Sequence, residues 1–167
     1  MRVLSRRATT GTLAAGHFRF PCALGRSGCK PLKREGDGAT PLGRYKLQRA
    51  YFRPDRLVRP STRLPMRATR IEDGWCDATG DRNYNRPISH PYPASAERMW
   101  RQDQLYDIVV VLGYNDRPRV RGRGSAIFLH VARPNLAPTE GCIALRRSDL
   151  GKLIPLISGK TVLRIGA

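Results

Sequence analysis

The sequence predicts a mainly β domain, a sandwiched or barrel-like mixed sheet carrying two short α-helices. Three observations carry this. Two apolar runs rich in β-branched residues, Asp107–Gly113 (DIVVVLG) and Ala126–Ala132 (AIFLHVA), have the length and composition of buried strands. The chain holds 13 Pro and 16 Gly, which break it often and favour short strands and turns over long helices. Its 167 residues suit one domain, 1–167, large enough to bury a core without metal or disulfide staples.

Taken in order, Arg2–Leu4 and His17–Leu24 read as strands, separated by a turn near Gly11. Gly36–Gly43 (GDGATPLG) reads as a packing loop, followed by a strand over Arg44–Ala50. It is not a P-loop, because G-x-x-x-x-G-K-[ST] is absent. Residues 54–95 are Pro-rich and read as one long irregular segment, because proline is excluded from helix interiors and central strands. A loop of that length in a small domain usually shapes a cleft. Ser95 is placed to cap a helix over Ala96–Gln104, with Glu97 in its favourable first turn. The segment NDRPRVRGRG after Tyr114 reads as an exposed hairpin loop. Ser148 is placed to cap a second helix, Asp149–Ile157, whose end Pro155 weakens. Thr161–Ile165 reads as a closing strand.

Composition narrows the function classes. The net charge is +18, from 31 Lys+Arg against 13 Asp+Glu. Such a surface draws anionic partners, whether nucleic acid, anionic lipid or a carboxylate-rich polymer. No 18-residue apolar run is present, so no membrane-spanning helix is expected. The basic first residues lack the apolar core of a secretory signal, so work outside the cytoplasm is expected to imply either a truncated start or another export route. Four cysteines (Cys22, Cys29, Cys76, Cys142) and three histidines (His17, His90, His130) show no metal-ligand spacing. No metal and no cofactor is expected. One special thiol and three idle ones is the simplest account.

The chemistry concentrates between His130 and Leu150 (HVARPNLAPTEGCIALRRSDL). A histidine ends a core strand, and twelve residues later comes Thr139-Glu140-Gly141-Cys142. The stretch between is loop by composition, so the chain can fold back and bring Cys142 to His130. An imidazole base turns a weakly nucleophilic thiol into a thiolate. Gly141 permits a tight turn, and amides around such a turn can stabilise an oxyanion. On local pattern alone, a core histidine and a buried small cysteine account for these residues better than a reacting pair does.

Two motifs add a resemblance. The strand histidine followed by T-x-G-C-I-x-L and S-D-L resembles the signature of L,D-transpeptidase (YkuD-type) catalytic domains. Ala39-Thr40-Pro41-Leu42-Gly43-Arg44-Tyr45 is similar to that family's T-P-x-G-x-[F/Y]. The likeness spans nearly the whole chain, Arg2 to Ile165, and is nearest to short single-domain proteobacterial members. It implies a YkuD-like fold, Cys142 as nucleophile, His130 as general base and acid, Gly141 as a backbone oxyanion donor and Thr139 as an orienting residue. It further implies a transpeptidase joining peptidoglycan stem peptides through a thioester, making 3→3 or 1→3 links, or a peptidase when water is the acceptor. The implied setting is the periplasm and the anionic cell wall, with a monomeric enzyme and no nucleic acid.

This chain departs from the family pattern at Ala144, where an arginine is usual, and at Val131, where glycine is usual. Arg133 and Arg146 are candidates for the missing cation. Candidate substrate contacts are Arg133, Tyr114 and Asn115, with Trp75, Tyr84, Asn85 and Arg86 from the long irregular segment. The rival reading of another class is a basic nucleic-acid or non-catalytic wall-binding module, resting on the charge and the R-P-R-V-R-G-R-G run.

Overall fold

The two apolar runs form the centre of the molecule. In a computed structural model, which describes residues 5–166, they become β10 (Ile108–Leu112) and β11 (Phe128–Val131). All nine residues are buried, as expected of strands covered on both faces. On one side β11 pairs in parallel with β12 (Ile143–Leu145), which leads to the hairpin of β2 (Phe18–Ala23) and β1 (Thr10–Ala15). On the other side β10 pairs with β5 (Gly43–Phe52), whose far edge takes β13 (Val162–Ile165) and β6 (Met66–Ala68). The sheet order is β1-β2-β12-β11-β10-β5-β13, with β6 also on β5. Parallel pairs at β11/β12 and β5/β6 make it a mixed sheet.

Strand alternation gives this sheet two different faces. Leu129, Val131, Ile143 and Leu145 belong to the larger core, capped by Leu150 and Leu153 of α1 (Arg147–Leu153). Val109, Val111, Phe128 and Tyr51 belong to a smaller core on the other face, with Trp75 and Met99. Trp75 belongs to a small three-stranded sheet of β8 (Pro87–Ser89), β7 (Asp73–Cys76) and β9 (Ala96–Arg98), in that order, and Met99 directly follows β9. Two-residue strands β3 (Cys29–Lys30) and β4 (Thr40–Pro41) pair separately.

Several expectations need correction. The strand at Arg2–Leu4 lies outside the described residues. Gly11 is inside β1; the hairpin turns instead at Gly16, whose φ of +58° is a conformation glycine adopts freely. Residues 54–95 are not uniformly irregular, since they hold β6, β7 and β8. Ala96–Gln104 is not a helix: Ala96, Glu97 and Arg98 pair with Cys76, Trp75 and Gly74. The chain has one α-helix among the described residues, followed by a 3-10 turn over Ile154–Leu156 that contains Pro155. That helix begins earlier than expected, with Arg146 at its N-cap in place of Ser148. Its first residue is tied down electrostatically, because Arg147 Nη2 donates to the fully buried carboxylate of Asp107 at 2.6 Å.

Candidate active site

The chain between β11 and β12 is a crossover, so the two parallel strands lie side by side. Register then sets what faces what: His130 lies opposite Ala144, one strand pair from the residue that precedes Ile143, which is Cys142. His130 shares its face with Phe128, and Cys142 packs against the same smaller core. Both line one cavity of about 460 Å³ between the main sheet and the small sheet.

The thiol is held at two points. Cys142 Sγ donates to Ala126 O at 3.2 Å and accepts from Phe128 N–H at 3.3 Å. Burial pushes it up to about 12, helped by the nearby Glu97 carboxylate and opposed by the Phe128 amide and the Lys33 ammonium. His130 is buried, with its ring edge-on to Tyr106 at 5.3 Å between centroids. Its Nδ1 sits 2.8 Å from Val131 O. A carbonyl only accepts, so Nδ1 carries the proton and Nε2 has the free lone pair. Burial lowers His130 to about 4, with Arg101 and Arg133 acting in the same sense. Thiol and imidazole are therefore both neutral at rest.

The turn before the cysteine is built around Thr139, which is buried. Its hydroxyl donates to Cys142 O at 2.7 Å and accepts from Gly141 N–H at 3.1 Å. Gly141 has φ +132°, and a Cβ there would lie 2.7 Å from Ala39 O. Glycine is thus required by both backbone angle and space. The Gly141 amide, expected as an oxyanion donor, is spent on Thr139 in this state. The Cys142 N–H is taken by no acceptor among the described residues.

Sequence reasoning missed Lys33. It is buried, donates to Asp37 Oδ1 at 2.8 Å, and lines the cavity beside Gly141. Asp37 also accepts from the amides of Arg34 and Ala39, so the GDGATP loop does more than fill space. It helps present the Lys33 ammonium to the Cys142 cavity. A lysine followed four places later by aspartate inside a glycine loop was the available signal. Glu97, Asp77 and Glu35 add carboxylates to the same cavity, and Arg101 and Arg133 add cations. Glu97 accepts from Tyr106 OH.

Of the other candidate contacts, only Arg133 reaches this cavity; Arg146 is exposed at the helix N-cap. Trp75, Asn85, Arg86 and Tyr114 line a second cavity, across the small sheet. Trp75 is mostly buried against Phe128, their rings crossing at 86°. Its indole N–H donates to Asn85 Oδ1 at 2.9 Å, which also accepts from Ala126 N–H at 3.1 Å. Asn85 thereby braces the segment leading into β11, whose Ala126 carbonyl accepts from the thiol. Tyr84 donates to Glu35 and accepts from Gly124 N–H. Asn115 closes the 115–124 loop through Val120 and Gly124. Cys22, Cys29 and Cys76 are buried, and Cys142 is partly exposed. No described helix is long and apolar enough to cross a membrane.

A model of the L,D-transpeptidase catalytic domain, YkuD, matches residues 6–165. Comparison with curated proteins and with solved structures gives no match.

Proposed function

The chain belongs to the YkuD family of L,D-transpeptidase catalytic domains, and on that footing we propose that it joins peptidoglycan stem peptides through a thioester on Cys142. The observation that carries the proposal is the shared cavity of Cys142 and His130, with Nδ1 committed to Val131 O and Nε2 left to take a proton.

The reaction follows from those positions. A donor stem brings an L-residue carbonyl to Sγ, and His130 Nε2 takes the thiol proton as the C–S bond forms. The Cys142 N–H holds the developing oxyanion, with Lys33 as a nearby positive charge. The tetrahedral intermediate collapses, the C–N bond breaks, and His130 returns the proton to the leaving amine. The side-chain amine of diaminopimelate in a second stem then attacks the thioester. His130 takes its proton, and the departing thiolate, held by Phe128 N–H, is reprotonated. Asp77 and Glu97 suit an amine-bearing acceptor, which favours transfer over hydrolysis. The enzyme acts in the cell envelope as a monomer.

The test is incubation with purified muropeptides, followed by intact-protein mass measurement and product sequencing. A thioester adduct on the wild type, absent in Cys142→Ser, is expected. Fragmentation tells L-Ala–diaminopimelate (1→3) from diaminopimelate–diaminopimelate (3→3) products. Shortened stems without cross-links would give the peptidase reading, and no adduct and no product would end both.

A further inference from the structure

The second cavity is larger, about 1150 Å³, and its chemistry differs from that of the first. Six of its lining residues are cations: Arg44, Lys46, Arg49, Arg86, Arg117 and Arg119. The one acid in its wall is Asp116. That carboxylate is already occupied by Gln48 Nε2 at 2.7 Å and Arg119 Nη2 at 3.2 Å, with Arg117 at 4.0 Å. Among the described residues, Arg44, Lys46, Arg49 and Arg86 have no acidic partner. Arg119 is largely buried, yet its Nε has no acceptor among the described residues.

This is a built arrangement. Arg44, Lys46 and Gln48 alternate on one face of β5, while Leu47 turns into the core. The register shift between Val111 and Leu112 interrupts this alternation, and Arg49 still reaches the cavity. Arg86 and Pro87 come from the β8 side of the small sheet, and Glu97 on β9 faces the Cys142 cavity. The small sheet thus stands between a cavity of mixed charge, with Lys33, Arg101 and Arg133 beside its carboxylates, and one lined by six cations and a single acid.

We propose that the β8-side cavity is a second binding site that holds carboxylates of wall stem peptides, apart from the stem reacting at Cys142. Planar guanidinium forks pair with carboxylates in two parallel hydrogen bonds, and clustered unpaired cations are stable only while an anion or water satisfies them. The volume exceeds that of an ordinary small-molecule pocket, about 300–1,000 Å³, and fits a polymer segment. Single-stranded nucleic acid would need exposed rings for stacking. The rings here are engaged: Trp75 is buried on Phe128, and Tyr114 lies edge-on to Tyr45. The identity of the ligand rests on the transpeptidase reading; the site itself does not.

The test is co-sedimentation of the full chain, as Cys142→Ala, with purified insoluble peptidoglycan over a salt series. The triple variant Arg44→Gln, Lys46→Gln, Arg49→Gln is compared with a control of equal charge loss, Arg7→Gln, Lys152→Gln, Lys160→Gln. All six positions are exposed, so folding is retained. The cavity variant is expected to bind about tenfold more weakly, roughly 1.4 kcal/mol, and the control to bind as before. Wall with its carboxylates capped as methylamides should bind like the variant, and in the active background thioester formation on soluble muropeptides should be unchanged. Equal loss in both triples, or in neither, overturns the proposal. Double-stranded DNA that binds this cavity as tightly as wall does overturns it in favour of nucleic acid. Wall binding lost only in the cavity variant, with no thioester on the wild type, keeps this site and removes the transpeptidase reading.

Discussion

The resting site pairs a neutral thiol with a neutral imidazole, and this has a measurable consequence. Burial raises Cys142 to about 12 and lowers His130 to about 4, so the two are separated by 12 − 4 = 8 pH units. Moving the proton from Sγ to Nε2 without substrate costs roughly 11 kcal/mol, at about 1.36 kcal/mol per unit. Attraction between the resulting charges would return about 4 kcal/mol at a separation of about 4 Å and an effective dielectric of about 20. The remaining ~7 kcal/mol leaves the thiolate–imidazolium form populated at about one part in 10⁵. In the proposed reaction, proton transfer must therefore accompany attack on the bound carbonyl. The assay is an ultraviolet thiolate titration of wild type minus Cys142→Ser, beside alkylation by iodoacetamide. No thiolate signal from Cys142 is expected at neutral pH. Its alkylation should rise about tenfold per pH unit from about pH 6 to about pH 9, as for any thiol well below its pKa. His130→Ala should abolish acylation yet leave this titration in place. A thiolate midpoint near or below neutrality, or a flat alkylation rate over that range, would refute the reasoning.

Three further outcomes follow from the same geometry. Lys33→Met removes the ammonium beside Gly141 and should slow acylation about tenfold, near 1.4 kcal/mol, with Lys33→Arg keeping part of the rate in single-turnover mixing. Thr139→Val leaves the Gly141 N–H and the Cys142 carbonyl without their partner; urea unfolding should show a loss of about 2–4 kcal/mol, largely recovered in Thr139→Ser. His130 is neutral in the folded chain down to about 4, whereas in the unfolded chain it protonates below 6.5. Stability should therefore fall as pH drops through 6.5 towards 4, by up to about 3 kcal/mol, and urea curves of His130→Phe should lack that component.

The central strands were readable because burial on both faces demands an unbroken apolar run, which Ile108–Leu112 and Phe128–Val131 show. The small sheet was not. Its strands are three or four residues long, too short for a period-two pattern to stand out among prolines. At Ala96–Arg98 the local cues of Ser95 and Glu97 favoured a helix, but pairing with β7 and burial of Met99 prevailed. Cys142 and His130 could be paired on paper because residue type and chain order carry that signal. The Asn85–Ala126 brace could not, since nothing in sequence joins residues 41 apart. Lys33 escaped for a different reason: a lysine reads as solvated until a partner such as Asp37 is seen to neutralise it inside the fold.

The two faces of the main sheet divide stability from chemistry, and strand register enforces the division. Leu129, Val131, Ile143 and Leu145 fill the large core, while Phe128, His130 and Ala144 occupy alternate positions on the same two strands. A one-residue slip of β12 would carry Ala144 across the sheet and change the path of the turn that holds Cys142. Cys142 and His130 are thus positioned by the hydrophobic pattern of their neighbours, which resists such a slip with every buried aliphatic side chain. Ala144, 1 % exposed and lying between Ala23 and His130, shows how tight that packing is. An arginine, usual in the family at this place, would have to displace neighbouring groups to reach the cavity. Arg133, exposed on the crossover and lining the cavity, supplies a cation without that disturbance. On the proposed transpeptidase reading, the departure at Ala144 moves the charge from the sheet to the loop.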